Sequence, residues 1–506
     1  MAASAAPDPQ AHVPSATEKH APDQTARSRP TDTHGRPSIV WLRDDLRLAD
    51  NPALRAAVDE GNPIVVLFVL DDSPLVARPR GGASRWWLHH SLTALAERIE
   101  ERGARLILRR GDAAEEVQRL ADEVDAGGVF WNRRYAEGER SQDGAVKKAL
   151  RAAGRVAESF QGTLMYEPWT IARDDGQPYG VYSAFWRACA KAGTPREPVA
   201  EPQSLDGLEK RLHSDELASW ELLPTKPDWA TGLAEEWTPG ERGAHERLRD
   251  FVGDRISRYS GQRDRPGAEA SSRLSPHLRF GELSPFQVRT AVLDSREGAA
   301  ENRSKFQAEL GWREFNYSLL FHNPNLDSQN MRRNFDGFPW HPASSEVLER
   351  WQQGRTGIPL VDAGMRQLWT SGWMHNRVRM VVASFLIKNL LIDWREGEQW
   401  FWDTLVDADP ANNAANWQWV AGSGVDSAPF FRVFNPVLQS QKFDPQGDYI
   451  RAWVPELADV PAKEIHEPRA SGGLDLSEVG DYPEPMVDLK ATRAEALDAF
   501  AEIKSH

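Results

Sequence analysis

Residues Ile64–Leu70 read IVVLFVL, seven apolar side chains in a row with no polar face. The run is too short to span a membrane and too rich in β-branched residues to favour a helix. Its natural place is a strand buried on both faces, which requires a parallel sheet covered by helices on each side. The flanking chain agrees. Ile39–Leu42 reads as a strand, and Asp50-Asn51-Pro52 as a helix cap followed by proline in the first turn. A helix from about Ser84 to Arg102 and a strand from Arg105 to Leu108 come next. A second helix opens after Gly111-Asp112, and strands Gly128–Trp131 and Arg155–Phe160 flank another. This β–α alternation predicts a doubly wound α/β domain over 37–165.

The periodicity then changes. Residues 166–240 are proline-rich and read as a connector with short helices. Beyond Glu241 the strand signals stop. Leu283–Leu293, Lys305–Phe321, Ser345–Gln353 and Trp373–Asp393 carry apolar residues at helical spacing, which predicts an all-α domain over 241–457. Residues 1–36 hold four acidic and four basic side chains and no apolar periodicity, and are expected to be a disordered arm. Residues 458–506 are set apart as an acidic tail, read as solvated helix.

Charge and composition narrow the function. The formal net charge is −14, but Glu456–His506 holds 12 acidic and 5 basic residues, so about half the excess lies there. The body can still present a basic face to nucleic acid. Cys189 is the single cysteine, which excludes an internal disulfide framework, a Cys-rich zinc site and a protein-ligated iron–sulfur cluster. It also fits a reducing, cytoplasmic setting. No GxGxxG follows the first strand, and no GxxxxGK[ST], HExxH or GxSxG occurs. Tryptophan is abundant at 20 residues, ten of them between Trp312 and Trp419.

Three constellations could carry chemistry. Ser271-Ser272-Arg273-Leu274-Ser275 gathers hydroxyls and an arginine before a helix, which suits a phosphate or a simple capped turn. Glu309, Trp312, Arg313 and Asn316 share one helix face and could line a cavity for a flat polar ligand. Asn376, Arg379 and Met380 open an apolar helix, and Asp407, Asp409, Asn412, Asn413, Trp417 and Trp419 follow downstream. That set reads either as a structural ion pair in a core or as a site for a heteroaromatic ring. His375 has no second ligand at metal spacing and reads as a hydrogen-bonded core residue. No metal is expected.

The opening Ile39-Val40-Trp41-Leu42-Arg43-Asp44-Asp45-Leu46-Arg47 resembles that of the photolyase/cryptochrome family. SSRLSPHLRFGELSP, ELGWREF, GWMHNRVRM, LLIDWREGEQWFW and DADPANNAANWQW match that family's FAD-domain motifs in order, and the likeness runs from about 38 to 455. The resemblance implies an α/β antenna domain and a helical domain that binds FAD. It implies that Tyr259, Ser271, Ser272, Arg273, Leu274 and Ser275 hold the FAD phosphates and ribityl chain. Glu309, Arg313, Asn376, Arg379, Asp407, Asp409 and Asn413 would surround the flavin, with Arg379 and Asp407 as a buried ion pair. Phe306 stands where some relatives have Trp.

The nearest likeness is to bacterial class I/III enzymes that repair cyclobutane pyrimidine dimers in DNA. Their lesion pocket falls on Glu309, Trp312, Asn376, Met380 and Trp419, and their phosphate contacts on Arg263, Arg377 and Arg432. The implied mechanism is light-driven electron transfer from reduced FAD to a flipped-out dimer. Trp417, Trp394 and Trp340 match the tryptophan chain that photoreduces oxidised flavin, and Glu309 and Asn413 the side chains at the dimer and at flavin N5. Asn132, Arg133 and Tyr135 follow the fourth strand, where relatives bind a second antenna chromophore, methenyltetrahydrofolate or a deazaflavin. The expected protein is a monomer that binds damaged DNA and no membrane. The competing expectation is a cryptochrome, a blue-light receptor that binds FAD and repairs nothing.

Overall fold

The structure, a computed structural model, describes residues 33–73, 76–426, 431–469 and 480–504. The arm expected over 1–36 lies outside the described residues up to 32. Residues 33–36 form a turn pinned to the sheet by Arg36, which donates to the Asp125 carboxylate and the Ala126 carbonyl.

Five strands, β1 (Ser38–Leu42), β2 (Ile64–Leu70), β3 (Leu106–Arg110), β4 (Gly128–Asn132) and β5 (Val156–Phe160), form one parallel sheet in the order β3-β2-β1-β4-β5. Every residue of β2 is buried. Helices α1 (Pro52–Asp59) and α2 (Gly82–Glu101) cover the face that bears Val40, Leu42, Val66 and Phe68. Helices α3 (Ala113–Glu123) and α4 (Glu137–Ala152) cover the face that bears Ile39, Trp41, Val65 and Leu67. Asn51 accepts from the Leu54 N–H, the cap that the Asp-Asn-Pro sequence predicts.

The connector is part of the sheet's packing. Asp206 accepts from the Ile64 N–H at 2.6 Å, Leu208 and Leu212 lie against one face, and Trp220 and Leu222 are buried on the other. The core under α1 and α2 runs on into the helical half through Trp237, Phe280, Trp373 and Val406. Buried polar groups lock this seam. Arg47 donates to the carbonyls of Gly162 and Gly281, and Glu282 accepts from the Trp87 indole and the Gly240 N–H. The Arg47–Gly281 and Trp87–Glu282 bonds join the two halves, so these groups are fully satisfied only when both are in place.

The helical half is built around the 23-residue Ala300–His322 helix. The expected segment Trp373–Asp393 is not one helix. An α-helix over Asn376–Ser384 passes into a π-helical turn over Phe385–Asn389, and Leu391, at φ 52°, ends the run. Asp393 then caps a new helix, Trp394–Thr404. Much of the indole content forms a core here, with Trp351, Trp394, Trp402 and Trp417 buried in one cluster. Among the described residues no helix is long and apolar enough to cross a membrane.

The expectation of a solvated acidic tail is corrected. Val460, Ile465 and Tyr482 are buried in the tryptophan-rich core. The Leu489–Lys504 helix packs Ala496, Ala499 and Ile503 against Phe335, Phe338, Leu391 and Phe431. Its apolar strip is narrow and partly alanine, so the charges on its other faces dominate the sequence signal.

At the seam between sheet and helices, Glu314 is buried and accepts from the Tyr166 N–H at 3.0 Å. Burial pushes its carboxyl up to about 7, only partly offset by Arg313. The fold therefore favours the protonated acid more than the unfolded chain does. That contribution is complete below about pH 4.5 and is lost as pH rises through about 7, roughly 3 kcal/mol in all. Glu314→Gln keeps the acceptor and removes the titration. In thermal melts it raises the transition at pH 8 and leaves it near wild type at pH 5; an equal shift at both would sink the assignment.

Candidate functional site

The Asn376–Ser384 helix begins on His375, whose ring nitrogen accepts from the Arg377 N–H. Burial lowers the His375 pKa to about 4, so the ring is neutral and free to accept, in keeping with a hydrogen-bonded core role. One turn on, Arg379 donates to the Met374 carbonyl at 2.7 Å and pairs with Asp407 at 2.9 Å. Among the described residues the second Asp407 oxygen, Oδ1, is buried without a partner. This gives a cation and an open acceptor side by side, suited to a ring edge that presents both an acceptor and a donor.

Asp409 is committed elsewhere. It accepts from the Tyr317 hydroxyl at 2.7 Å and from the Ala411 and Asn412 N–H groups, and so fixes the start of the Asn412–Ala421 helix. Asn413 donates to the Glu398 carbonyl and carboxylate, and Glu398 is held in turn by Arg78 from the α/β half. Trp417, on the same helix, lies over Gly397, where a Cβ would come within 2.1 Å of the indole. Gly397 is one turn beyond Trp394, whose Nε1 donates to Asn330. Trp340 packs at the margin of that cluster against Phe338 at 4.3 Å. The three indoles predicted as a chain thus share one neighbourhood.

Around Ser271–Ser275 the backbone turns at Arg273, with φ 54°. Its guanidinium pairs with Glu236 at 2.6 Å and lies over the rings of Trp237 and Trp373, while its Nε is buried without a partner among the described residues. The helix that follows, Ser275–Arg279, has only five residues, so its dipole adds little and the hydroxyls and arginine are the polar resource. The Ser272 hydroxyl accepts from the Leu274 N–H, the Ser275 hydroxyl accepts from the Trp373 indole, and Ser271 is half-buried. Leu274, Tyr259 and Phe306 are buried in one cluster, with Phe306 against Phe251 and edge-on to Tyr259.

The helix face predicted from Glu309, Trp312, Arg313 and Asn316 divides in two. Glu309 pairs with Arg263, and Trp312 stacks on Tyr182 at 3.9 Å and 10°. Arg313 reaches the Thr163 carbonyl at 2.8 Å in the other half, and Asn316 donates to Asn412. Asn376 is exposed, and Met380 and Trp419 are half-buried. Arg377 pairs with Asp264 at 3.0 Å and lies over Phe443. Arg432 is exposed and has no acidic partner among the described residues. Two of the three predicted phosphate contacts, Arg263 and Arg377, are therefore held by carboxylates that a phosphate must displace.

Sequence reasoning did not single out Tyr182. Its signal was the aromatic spacing Tyr182, Phe185, Trp186 at i, i+3, i+4 in a stretch read as connector. Of the predicted antenna contacts, Asn132 is bonded to Asp45 and Asn51, and Arg133 to Glu167. Tyr135 is buried between Trp169 and Tyr317.

Residues 38–203 match the model described as DNA photolyase, and residues 306–502 match the FAD binding domain of DNA photolyase. The chain is 50% identical to the deoxyribodipyrimidine photo-lyase of Agrobacterium fabrum, over 92% of this chain and 98% of the relative. It is 36% identical to cryptochrome-1 of Arabidopsis thaliana, over 92% of this chain and 70% of that one. The crystal structure of a bacterial class III photolyase from Agrobacterium tumefaciens superposes with a TM-score of 0.90 at 48% identity, covering 95% of this chain and all of that one.

Proposed function

The chain belongs to the DNA photolyase family, and we propose that it is a light-driven enzyme that returns cyclobutane pyrimidine dimers in DNA to separate pyrimidines. The observation that carries this reading is the arrangement of Trp312 and Trp419. Both are half-buried indoles on helices that pack together, with the Glu309 carboxylate one turn before the first. A dimer cannot reach a buried cofactor while stacked in duplex, and a damaged pair costs less to extrude. The two indoles supply the stacking surfaces that replace the lost neighbours, each worth about 1–3 kcal/mol.

The residues fit FAD. Asp407 Oδ1 is an unpaired buried acceptor beside the Arg379 guanidinium, suited to the imide edge of a flavin. Arg273 and the hydroxyls of Ser271, Ser272 and Ser275 suit the pyrophosphate and ribityl chain. Held there in its reduced form, FAD would supply light-driven one-electron chemistry, with no net redox change, for opening the cyclobutane ring.

The protein's own part is to bind, orient and exclude water. Glu309 exchanges Arg263 for the polar edge of the dimer and stabilises the charge that develops there. Arg263, Arg377 and Arg432 hold the phosphates, so affinity falls with salt. Asn413, fixed by Glu398, holds its amide beside the flavin site. Trp417, Trp394 and Trp340 relay electrons inward from the surface when the cofactor has to be re-reduced. A second light-harvesting chromophore in the α/β domain belongs to the same reading, methenyltetrahydrofolate or a deazaflavin. Among the described residues Asn132 keeps Oδ1 buried without a partner while its amide N–H groups and Arg133 are engaged, and Asn132 is the side chain there with a polar atom to offer it. We assign the protein to the cytoplasm and to a monomeric state on the family likeness and the lone cysteine.

The test is repair of a thymine-dimer oligonucleotide by reduced protein in light and in darkness, read by chromatography. Light-dependent recovery of intact thymines is expected. Glu309→Ala should lower that yield severalfold with flavin content unchanged. Bound flavin with no repair in light would make the chain a cryptochrome-type photoreceptor instead.

A further inference from the structure

The Tyr182–Ala192 helix lies in the segment between the two domains, far in sequence from any predicted site residue. In space it backs the lesion platform. Tyr182 stacks on Trp312 with ring centroids 3.9 Å apart, and Trp186 continues the parallel stack behind it at 6.5 Å and 12°. Phe315 meets both Tyr182 and Trp312 edge-on, at 6.0 and 5.8 Å. The Tyr182 hydroxyl donates to the Ala308 carbonyl at 2.6 Å, next to Glu309 in the chain. Trp312 is thus covered on one face and gripped at an edge, yet remains only half-buried.

A second tie runs to the opposite wall. The Tyr182 N–H donates to Asp426 at 3.1 Å, in the segment just after the helix that carries Trp419. A third observation is steric. A Cβ at Gly311 would lie 2.7 Å from the Trp186 ring and 2.8 Å from the Tyr182 hydroxyl. The approach of the two helices depends on that glycine, although glycine costs about 1 kcal/mol inside a helix relative to alanine.

We propose that Tyr182 is a positioning residue for lesion recognition. It fixes the plane of Trp312 and, through Asp426, its spacing from the segment that carries Trp419, so that a cyclobutane-linked pair of pyrimidines fits between them. This rests on the reading of Trp312 and Trp419 as the lesion walls. An unbacked indole can tilt and stack on any base, whereas a backed one offers a rigid slot, and preorganisation of this kind appears as selectivity. The residue therefore acts on the preference for dimer over intact DNA rather than on DNA affinity as a whole.

The experiment measures affinity for dimer and intact oligonucleotides, with flavin content, for wild type and for Tyr182→Phe, Tyr182→Leu, Gly311→Ala and Trp312→Ala. Tyr182→Leu should lower the dimer preference about two- to tenfold, in line with the loss of one stacked aromatic pair, with intact-DNA affinity and flavin unchanged. Tyr182→Phe keeps the ring and should restore most of the preference. Gly311→Ala favours the helix but pushes Tyr182 away, so it should mimic Tyr182→Leu and decides the matter if that variant does not fold. Wild-type preference in Tyr182→Leu and Gly311→Ala, alongside loss in Trp312→Ala, overturns the positioning role alone. No preference in wild type overturns the lesion-wall reading, and this inference with it.

Discussion

Replacing Trp312 by alanine lowers affinity for a thymine-dimer oligonucleotide about ten- to a hundredfold and leaves affinity for the intact oligonucleotide within about twofold. The split follows from which interactions each complex uses. On the proposed reading intact DNA is held through its phosphates, by side chains such as Arg432, which lies over Phe434. An extruded dimer is held by what replaces its stacking neighbours. Trp312→Phe, which keeps a ring of smaller area, falls between the two. Fluorescence titration at one fixed salt concentration reads the ratio. Parallel loss for both oligonucleotides would mean that Trp312 supports the fold and not the lesion.

Arg379→Leu destabilises the helical half by about 3–5 kcal/mol and empties it of flavin, while Asp407→Asn costs clearly less. The asymmetry comes from exposure. The Asp407 side chain is 4% exposed and the Arg379 side chain 25%. Without Arg379 a carboxylate that already has one unpaired oxygen is left charged and buried. Without the Asp407 charge, Arg379 keeps the Met374 carbonyl and can draw on water. Flavin retained through gel filtration, together with the melting transition, distinguishes the two. Equal losses would show that the pair acts as a unit and that burial does not set the order.

Local pattern and long-range pairing were not equally legible. Ile64–Leu70 was readable to the residue, because a strand buried on both faces leaves an unbroken apolar run. The break after Asn389 was not, since Leu391 adopts φ 52° with no glycine or proline to mark it. Local spacing does report which side chains share a helix face, and Glu309 and Trp312 were found in that way. It cannot report what they meet. Arg263 lies 46 residues from Glu309, Tyr182 lies 126 from Ala308, and Thr163 lies 150 from Arg313. Motif likeness located the first of these pairs residue by residue but gave no hint that the two were joined.

The packing of Leu489–Lys504 on Phe335, Phe338 and Phe431 also bears on how the chain matures during synthesis. Domains generally fold in order of emergence. The core under α1 and α2 is complete only once Trp237, Phe280, Trp373 and Val406 have left the ribosome, and the helical half exposes three phenylalanines for some 100 residues more. For that interval the nascent chain carries a closed sheet core and an open apolar face, the stage at which chaperones have most to bind.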